Sequence, residues 1–260
     1  MGILNVTPDS FSDGGRYLAV DRAVQHGLAM VGAGADIIDV GGESTRPGAQ
    51  RISAEEELRR VVPVARELVA AGVALSIDTM RAEVAAAAVS VGAQVVNDVS
   101  GGLADPKMAK CVANLGVPYI AMHWRAPSSI MDQRAHYQGD VITAVRDELA
   151  RRIDALLGAG VAFDRIVIDP GIGFAKDAAH NWALLSRLPE LSVLGRPLLV
   201  GASRKRFLRR ATHASVLDAA TASVSALVAL AGAQCVRVHD VASNLAAVRV
   251  AANWQSARTS

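Results

Sequence analysis

Short apolar runs alternate along the chain with longer stretches whose apolar residues recur at helical spacing. The runs lie at 2–6, 36–40, 74–77, 94–96, 119–122, 166–168, 197–201 and 235–238. Several are almost unbroken Val, Ile and Leu, the pattern of strands buried on both faces of a parallel sheet. The helical stretches lie at 21–34, 53–72, 81–92, 105–116, 141–160, 181–191, 215–232 and 242–254. Ser53, with Glu56 three residues on, predicts a capping box, and Gly72 predicts the stop of the same helix. Strand and helix thus alternate eight times, and no Pro-, Ser- or charge-rich linker divides the chain. Its 260 residues match the size of one such barrel, roughly 250. The expected fold is α/β: a single (β/α)8 barrel, one domain over residues 1–260, with a doubly wound open sheet as the alternative.

The polar residues of the runs collect at one end. Asn5 follows the first run, Asp39 and Glu43 the second, Asp78 the third, and Asn97 with Asp98 the fourth. His123 follows the fifth, Asp169 the sixth, Ser203 and Lys205 the seventh, and His239 with Asp240 the eighth. The C-terminal strand ends of a (β/α)8 barrel converge on one mouth, where active sites sit. Any one of these residues also reads as a helix cap or turn residue. Polar residues at all eight strand ends together read as an enzyme.

Composition narrows the partners. A net charge of +2, with no basic tract interleaved with aromatics, gives no footprint for nucleic acid. No apolar run approaches the ~18 residues of a membrane span, and the N-terminus lacks the pattern of a signal peptide. Two cysteines, Cys111 and Cys235, make no disulfide framework, so the expected compartment is the cytoplasm. His123 has no second His or Cys at metal-ligand spacing, which argues against zinc.

Loops at the strand ends carry an ordered series of motifs. The first loop contains Asn5-Val6-Thr7-Pro8-Asp9-Ser10-Phe11, and the second reads Gly41-Gly42-Glu43-Ser44-Thr45-Arg46-Pro47-Gly48. Then come Ser76-Ile77-Asp78-Thr79, Asn97-Asp98 and Asp169-Pro170-Gly171-Ile172-Gly173-Phe174-Ala175-Lys176. Gly201-Ala202-Ser203-Arg204-Lys205 and Arg237-Val238-His239-Asp240 complete it. The series closely resembles the dihydropteroate synthases from residue 2 to about residue 250. The segment Arg206-Phe207-Leu208-Arg209-Arg210 departs from that family, which has a small or polar residue and soon a glycine there.

The residues themselves form two groups. Asp78, Asn97 and Asp169 come from three strands and are expected to face one cavity, where carboxylates and an amide suit the donor-rich edge of a flat heterocycle such as a pterin. Buried carboxylates need such partners. Asn5, Arg46, Arg237 and His239 suit a pyrophosphate with its metal ion, because Arg contacts phosphate bidentately. Mg²⁺ takes few protein ligands, so the Asn5 oxygen alone is a plausible one. Arg237 and His239 lie on the same side of their strand and are expected to touch the pyrophosphate, not the pterin.

The resemblance implies the rest. It implies that Lys205 and Met122 join the pterin group, and that Phe11, Thr45, Pro47, Phe174 and Lys205 line a p-aminobenzoate pocket. It implies catalytic roles for Asp78, Lys205, Arg237 and His239, Mg²⁺ as cofactor, a homodimer, and sensitivity to sulfonamides. The implied reaction condenses 6-hydroxymethyl-7,8-dihydropterin pyrophosphate with p-aminobenzoate. Two alternatives share the pterin-binding logic: a methyltetrahydrofolate-to-corrinoid methyltransferase, which needs no pyrophosphate site, and a non-catalytic pterin-binding paralogue. Arg46, Arg237 and His239 argue against the first, and the intact second loop and Ser203-Arg204-Lys205 argue against the second.

Overall fold

The computed structural model describes residues 1–7, 16–44, 51–127 and 129–259. Six strands pair in chain order, all parallel: β1 (Gly2–Asn5), β2 (Ile38–Gly41), β3 (Leu75–Asp78), β4 (Val95–Asp98), β5 (Tyr119–Met122) and β6 (Ile166–Asp169). A further parallel pair joins β7 (Leu199–Val200) to β8 (Cys235–Val236). Single parallel bridges, Ile168 with Leu198 and Gly2 with Val238, link the two sets. At those joints Ile168 N donates to Pro197 O at 2.9 Å and Ile3 N donates to Val238 O at 2.9 Å. The order therefore returns from β8 to β1, and the sheet is a ring, the (β/α)8 barrel.

Helices alternate with the strands: α1 (Arg16–Gly32), α2 (Ala54–Ala70), α3 (Ala82–Ser90), α4 (Met108–Leu115), α5 (Val141–Gly158), α6 (Ala178–Ser186), α7 (Arg206–Ala211), α8 (Leu217–Leu230) and α9 (Val241–Thr259). Outward-facing Ile38, Val40, Leu75 and Ile77 share one buried core with Val61, Val64 and Leu68 of α2. The Val/Ile/Leu runs form strands here because β-branched side chains fill the space between sheet and helices. Among the described residues, no helix is long and apolar enough to cross a membrane.

Three details differ from the expectation. The last two strands pair over two residues each, and beyond Val236 the chain passes from β7 to β1 through the Val238 bridge. A separate short helix, α7, precedes α8; its two buried residues, Phe207 and Leu208, are too few to show a helical period in the sequence. At the start of α2, Ser53 Oγ accepts from Glu56 N at 3.2 Å, but the Glu56 carboxylate turns to Arg60 Nε at 2.8 Å, so half the capping box is made. Gly72 does follow the end of α2, at φ +81°.

The register sets up the site. Asn5 pairs with Gly41, Gly41 with Asp78, and Asp78 with Asn97, so these residues occupy one row across four strands. Side chains alternate along a strand, so the next residue, Asp98, points the other way. Asp98 is fully buried and accepts from Ser100 N and Ser100 Oγ, both at 2.7 Å, from Gly102 N at 2.9 Å and from the Tyr119 hydroxyl at 2.8 Å. Burial pushes its carboxyl up, and these donors oppose that. Asp98 thus ties the loop after β4 to β5. Tyr119→Phe deletes one of the four donors and should cost about 1.5–3 kcal/mol, the range for a hydrogen bond to a charged group. Urea unfolding measures it, and a loss below about 0.5 kcal/mol would show that the hydroxyl does not hold the knot.

Candidate active site

At the C-terminal ends of the strands the barrel opens into a cavity of about 730 Å³. Asn5, Asp78, Asn97, Met122, Asp169, Phe174, Lys205, Arg237 and His239 all line it. Of the residues that sequence placed in the site, Phe11, Thr45, Arg46 and Pro47 lie outside the described residues.

The floor is organised around one guanidinium. Arg237 Nε donates to Asp39 Oδ2 at 2.6 Å and its Nη2 donates to Asp78 Oδ2 at 2.7 Å. Asn97 Nδ2 donates to the same Asp39 oxygen at 2.8 Å. The second Asp39 oxygen and the hydroxyl of its register partner Ser76 are buried without a hydrogen-bond partner. Burial pushes the Asp78 carboxyl well above the ordinary range; Arg237 opposes the rise and Asp39 adds to it. Asp169, also raised by burial, accepts from Gly171 N at 2.7 Å. Lys205 is pushed down to about 8 by burial and by the nearby Arg237. The floor thus gathers Asp78 and Asp169, with Asp39 beneath them, around Arg237 and Lys205, and Lys176 also lines the cavity and acts on Asp169.

His239 stands nearer the rim. Ser203 Oγ accepts from His239 N at 3.1 Å and lies 2.8 Å from His239 Nδ1. Burial, then Arg204, Arg237 and Lys205, hold the imidazole down to about 4, so it is neutral at pH 7. With Nδ1 taking the Ser203 proton, the Nε2–H remains as a donor.

One wall is the loop after β6. Gly171 has φ +69°, and a Cβ there would lie 2.4 Å from His123 O. Gly173 has φ +79°, and its Cβ would lie 2.9 Å from Lys205 Cδ. Only glycine allows this close approach. Phe174 packs with Met122, Val99 and Met131 in a small apolar cluster, and Lys205 Nζ sits 4.1 Å from its ring centre.

The structure changes parts of the sequence reading. Arg237 does not stand apart from the pterin group: its guanidinium is bonded to Asp78 itself. Asp98 faces away from the cavity, as described. Glu43 accepts from Arg51 Nε at 3.1 Å and Arg81 Nη1 at 2.9 Å and braces the base of its loop. His123 lies behind the wall, against Lys176 Nζ at 2.9 Å. Asp240 accepts from Ser243 N at 3.4 Å, at the start of α9. Arg206 reaches across to Asp132 at 2.8 and 3.0 Å. Asp39 was passed over as a site residue. Its signal was a lone carboxylate between Ile38 and Val40, with the same strand parity as Gly41 beside Asp78.

Among the described residues no group of three His, Cys, Asp or Glu side chains could hold a metal. The half-buried Asn5 at the cavity is compatible with an ion that takes one amide oxygen and draws its other ligands from phosphate and water.

Comparison with known proteins places this geometry. The family described as pterin binding enzyme matches residues 1–239. A dihydropteroate synthase of Mycobacterium leprae is 54% identical over 262 residues, covering 98% of this chain and 92% of that protein. The solved Xanthomonas albilineans dihydropteroate synthase with 4-aminobenzoic acid superposes with a TM-score of 0.91 at 44% identity, covering 100% of this chain and 93% of that one. A structure of the same enzyme in complex with 7,8-dihydropteroate gives 0.88 at 42% identity, with the same coverage. The chain belongs to the pterin-binding enzymes and, among them, to the dihydropteroate synthases.

Proposed function

We propose that the chain, acting as one barrel domain, condenses 6-hydroxymethyl-7,8-dihydropterin pyrophosphate with p-aminobenzoate to give 7,8-dihydropteroate and pyrophosphate. The observation that carries this reading is the charge pattern of the cavity floor. Asp78 and Asp169 stand at the cavity with Asp39 beneath them, and buried carboxylates so placed favour a ligand that develops positive charge. Asp78, Asn97 and Asp169 would accept from or donate to the polar edge of the pterin, with Met122 packed on the ring and Lys205 on its other polar atoms.

The methylene–oxygen bond breaks first, and its electron pair leaves with the pyrophosphate. The pterin ring delocalises the resulting cation, and the Asp78 carboxylate opposes that charge at short range. Arg237 and the neutral His239 Nε2–H bind the departing phosphate oxygens. Arg46 joins them from a loop outside the described residues. Asn5 would hold a Mg²⁺ there, which supplies positive charge to those oxygens when bound. The arylamine of p-aminobenzoate then attacks the methylene carbon and loses a proton. Its ring would rest on Phe174 beside Lys205, with Phe11, Thr45 and Pro47 closing the pocket. A sulfonamide copies that arylamine and would compete for the same place.

The same reading includes a cytoplasmic homodimer. Leu227 of α8 and Val250 and Trp254 of α9 are exposed apolar side chains that a second copy would cover. Both cysteines are free thiols, as a reducing compartment keeps them.

The direct test is release of pyrophosphate, which should depend on p-aminobenzoate. Asp78→Asn keeps the shape and removes the charge, and should lower kcat by a factor on the order of 10² or more. The wild-type kcat/KM profile should lose its acid limb in that variant. That limb lies above the usual carboxylate range, because burial raises Asp78; the alkaline limb, near 8, follows loss of the Lys205 proton. Near-normal turnover, or an unmoved acid limb, would remove Asp78 from the chemistry.

His239 and Arg237 separate the two ends of the substrate. His239→Ala should weaken inorganic pyrophosphate roughly tenfold, the loss of one good hydrogen bond, and leave a plain pterin within about twofold. Arg237→Ala should weaken both, since it also strips the partner from Asp39 and Asp78. Titration calorimetry with each ligand checks the pattern; equal losses for His239→Ala would place the imidazole on the pterin instead.

A further inference from the structure

Behind the wall of residues 170–176 runs a polar chain that the reaction as described leaves unused. Lys176 is 5% exposed. Its ammonium donates to His123 Nδ1 at 2.9 Å, Gly171 O at 3.1 Å and Phe174 O at 3.1 Å. Three donors meet three acceptors, and none of the acceptors is a carboxylate. Because Nδ1 of His123 accepts, its Nε2–H donates to Glu148 Oε2 at 2.9 Å. Glu148 also takes Arg125 Nε at 3.0 Å and Arg125 Nη2. The Arg125 guanidinium lies 3.8 Å from the centre of the Tyr137 ring, and the Tyr137 hydroxyl donates to Ala175 O at 3.1 Å. The chain leaves the wall at Gly171 and Phe174 and returns to it at Ala175.

Burial pushes Lys176 down to about 7, and Asp169 is the largest influence against that fall. Burial, with Lys176 beside it, pushes His123 down to about 4, so it stays the neutral bridge. Burial raises Glu148, but the bonds from His123 and Arg125 bring it down to about 2. The wall needs holding, because Ala175 sits at φ +47°, a left-handed conformation that is unfavourable for a non-glycine residue. Phe174, the residue between the two tied carbonyls and that strained one, presents its ring to Lys205 in the cavity.

Building on the assignment of Phe174 to the acceptor pocket, we propose that Lys176 is a positioning residue for the arylamine: it fixes Phe174 through the Gly171 and Phe174 carbonyls, and His123 and Glu148 orient it from behind. Lys176 borders the cavity, but its three donors are all taken by the wall and by His123. Its effect is therefore on the affinity for p-aminobenzoate and not on bond breaking at the pterin.

Steady-state kinetics on the full chain, with each substrate varied in turn, tests this. Lys176→Met leaves three acceptors without their donor, and should raise KM for p-aminobenzoate roughly tenfold while KM for the pterin pyrophosphate and kcat stay within about threefold. Glu148→Ala alters only the far end of the chain, on the flank of α5, and should give the same selective rise at about threefold. Adding Phe174→Leu to Lys176→Met should raise that KM no further than the larger single change, because the two residues act as one unit. Equal rises in both KM values, additive effects in the double variant, or an unchanged KM for p-aminobenzoate overturn the proposal. If Lys176→Met does not fold, Glu148→Ala decides alone. Failure of the unaltered chain to condense the substrates overturns the catalytic reading and this proposal together, whereas an active wild type with indifferent variants overturns only the proposal.

Discussion

Arg237 is held between Asp39 and Asp78, and the site is built on that contact. Its partners lie 198 and 159 residues away in the chain, on β2 and β3, so the contact forms only when the last strand closes against the first. Two carboxylates in the mouth of a barrel would carry a desolvation cost of several kcal/mol each if left alone. One guanidinium offsets most of it for both, because its fork reaches two separate oxygens. Asn97 adds a further donor to Asp39, and so is fixed in place for its own face toward the cavity.

Burial has raised both Asp78 and Asp169. Both carboxylates therefore gain from a positive charge that forms beside them, and the floor stabilises a cation as it forms. The low dielectric that raises Asp78 also strengthens its pull on that cation. Nearer the rim, His239 contributes a neutral donor, because burial, then Arg204, Arg237 and Lys205, keep its imidazole unprotonated. One substrate that develops positive charge at its ring and carries an anionic tail fits both layers at once.

The barrel was legible because strands buried on both faces and helices with one apolar stripe leave different periods in the sequence. Asp78, Asn97, Asp169, Lys205, Arg237 and His239 were legible as a group because C-terminal strand ends converge. What stayed hidden was which neighbour each would choose. Asn97 and Asp98 look alike in the sequence, yet strand parity sends one into the cavity and the other into a structural knot with Tyr119. Asp39 lies inside an apolar run, and nothing local points to a guanidinium 198 residues on. Lys176 lies two residues after Phe174 in the same loop, but His123 comes from the end of β5 and Glu148 behind it from α5, and only packing brings them together.

Floor and wall solve different mechanical problems. The floor residues stand on strands, where the backbone ladder fixes their spacing without help from side chains. The wall is a loop, with two glycines and one alanine at positive φ, and its carbonyls have no ladder to bond to. A buried ammonium can bind such carbonyls, but it brings a charge that needs an answer. Asp169 on the cavity side answers it most, and Glu148 adds a smaller share from the far side of the neutral His123 imidazole. Lys176 keeps its three neutral acceptors, and the loop keeps its shape.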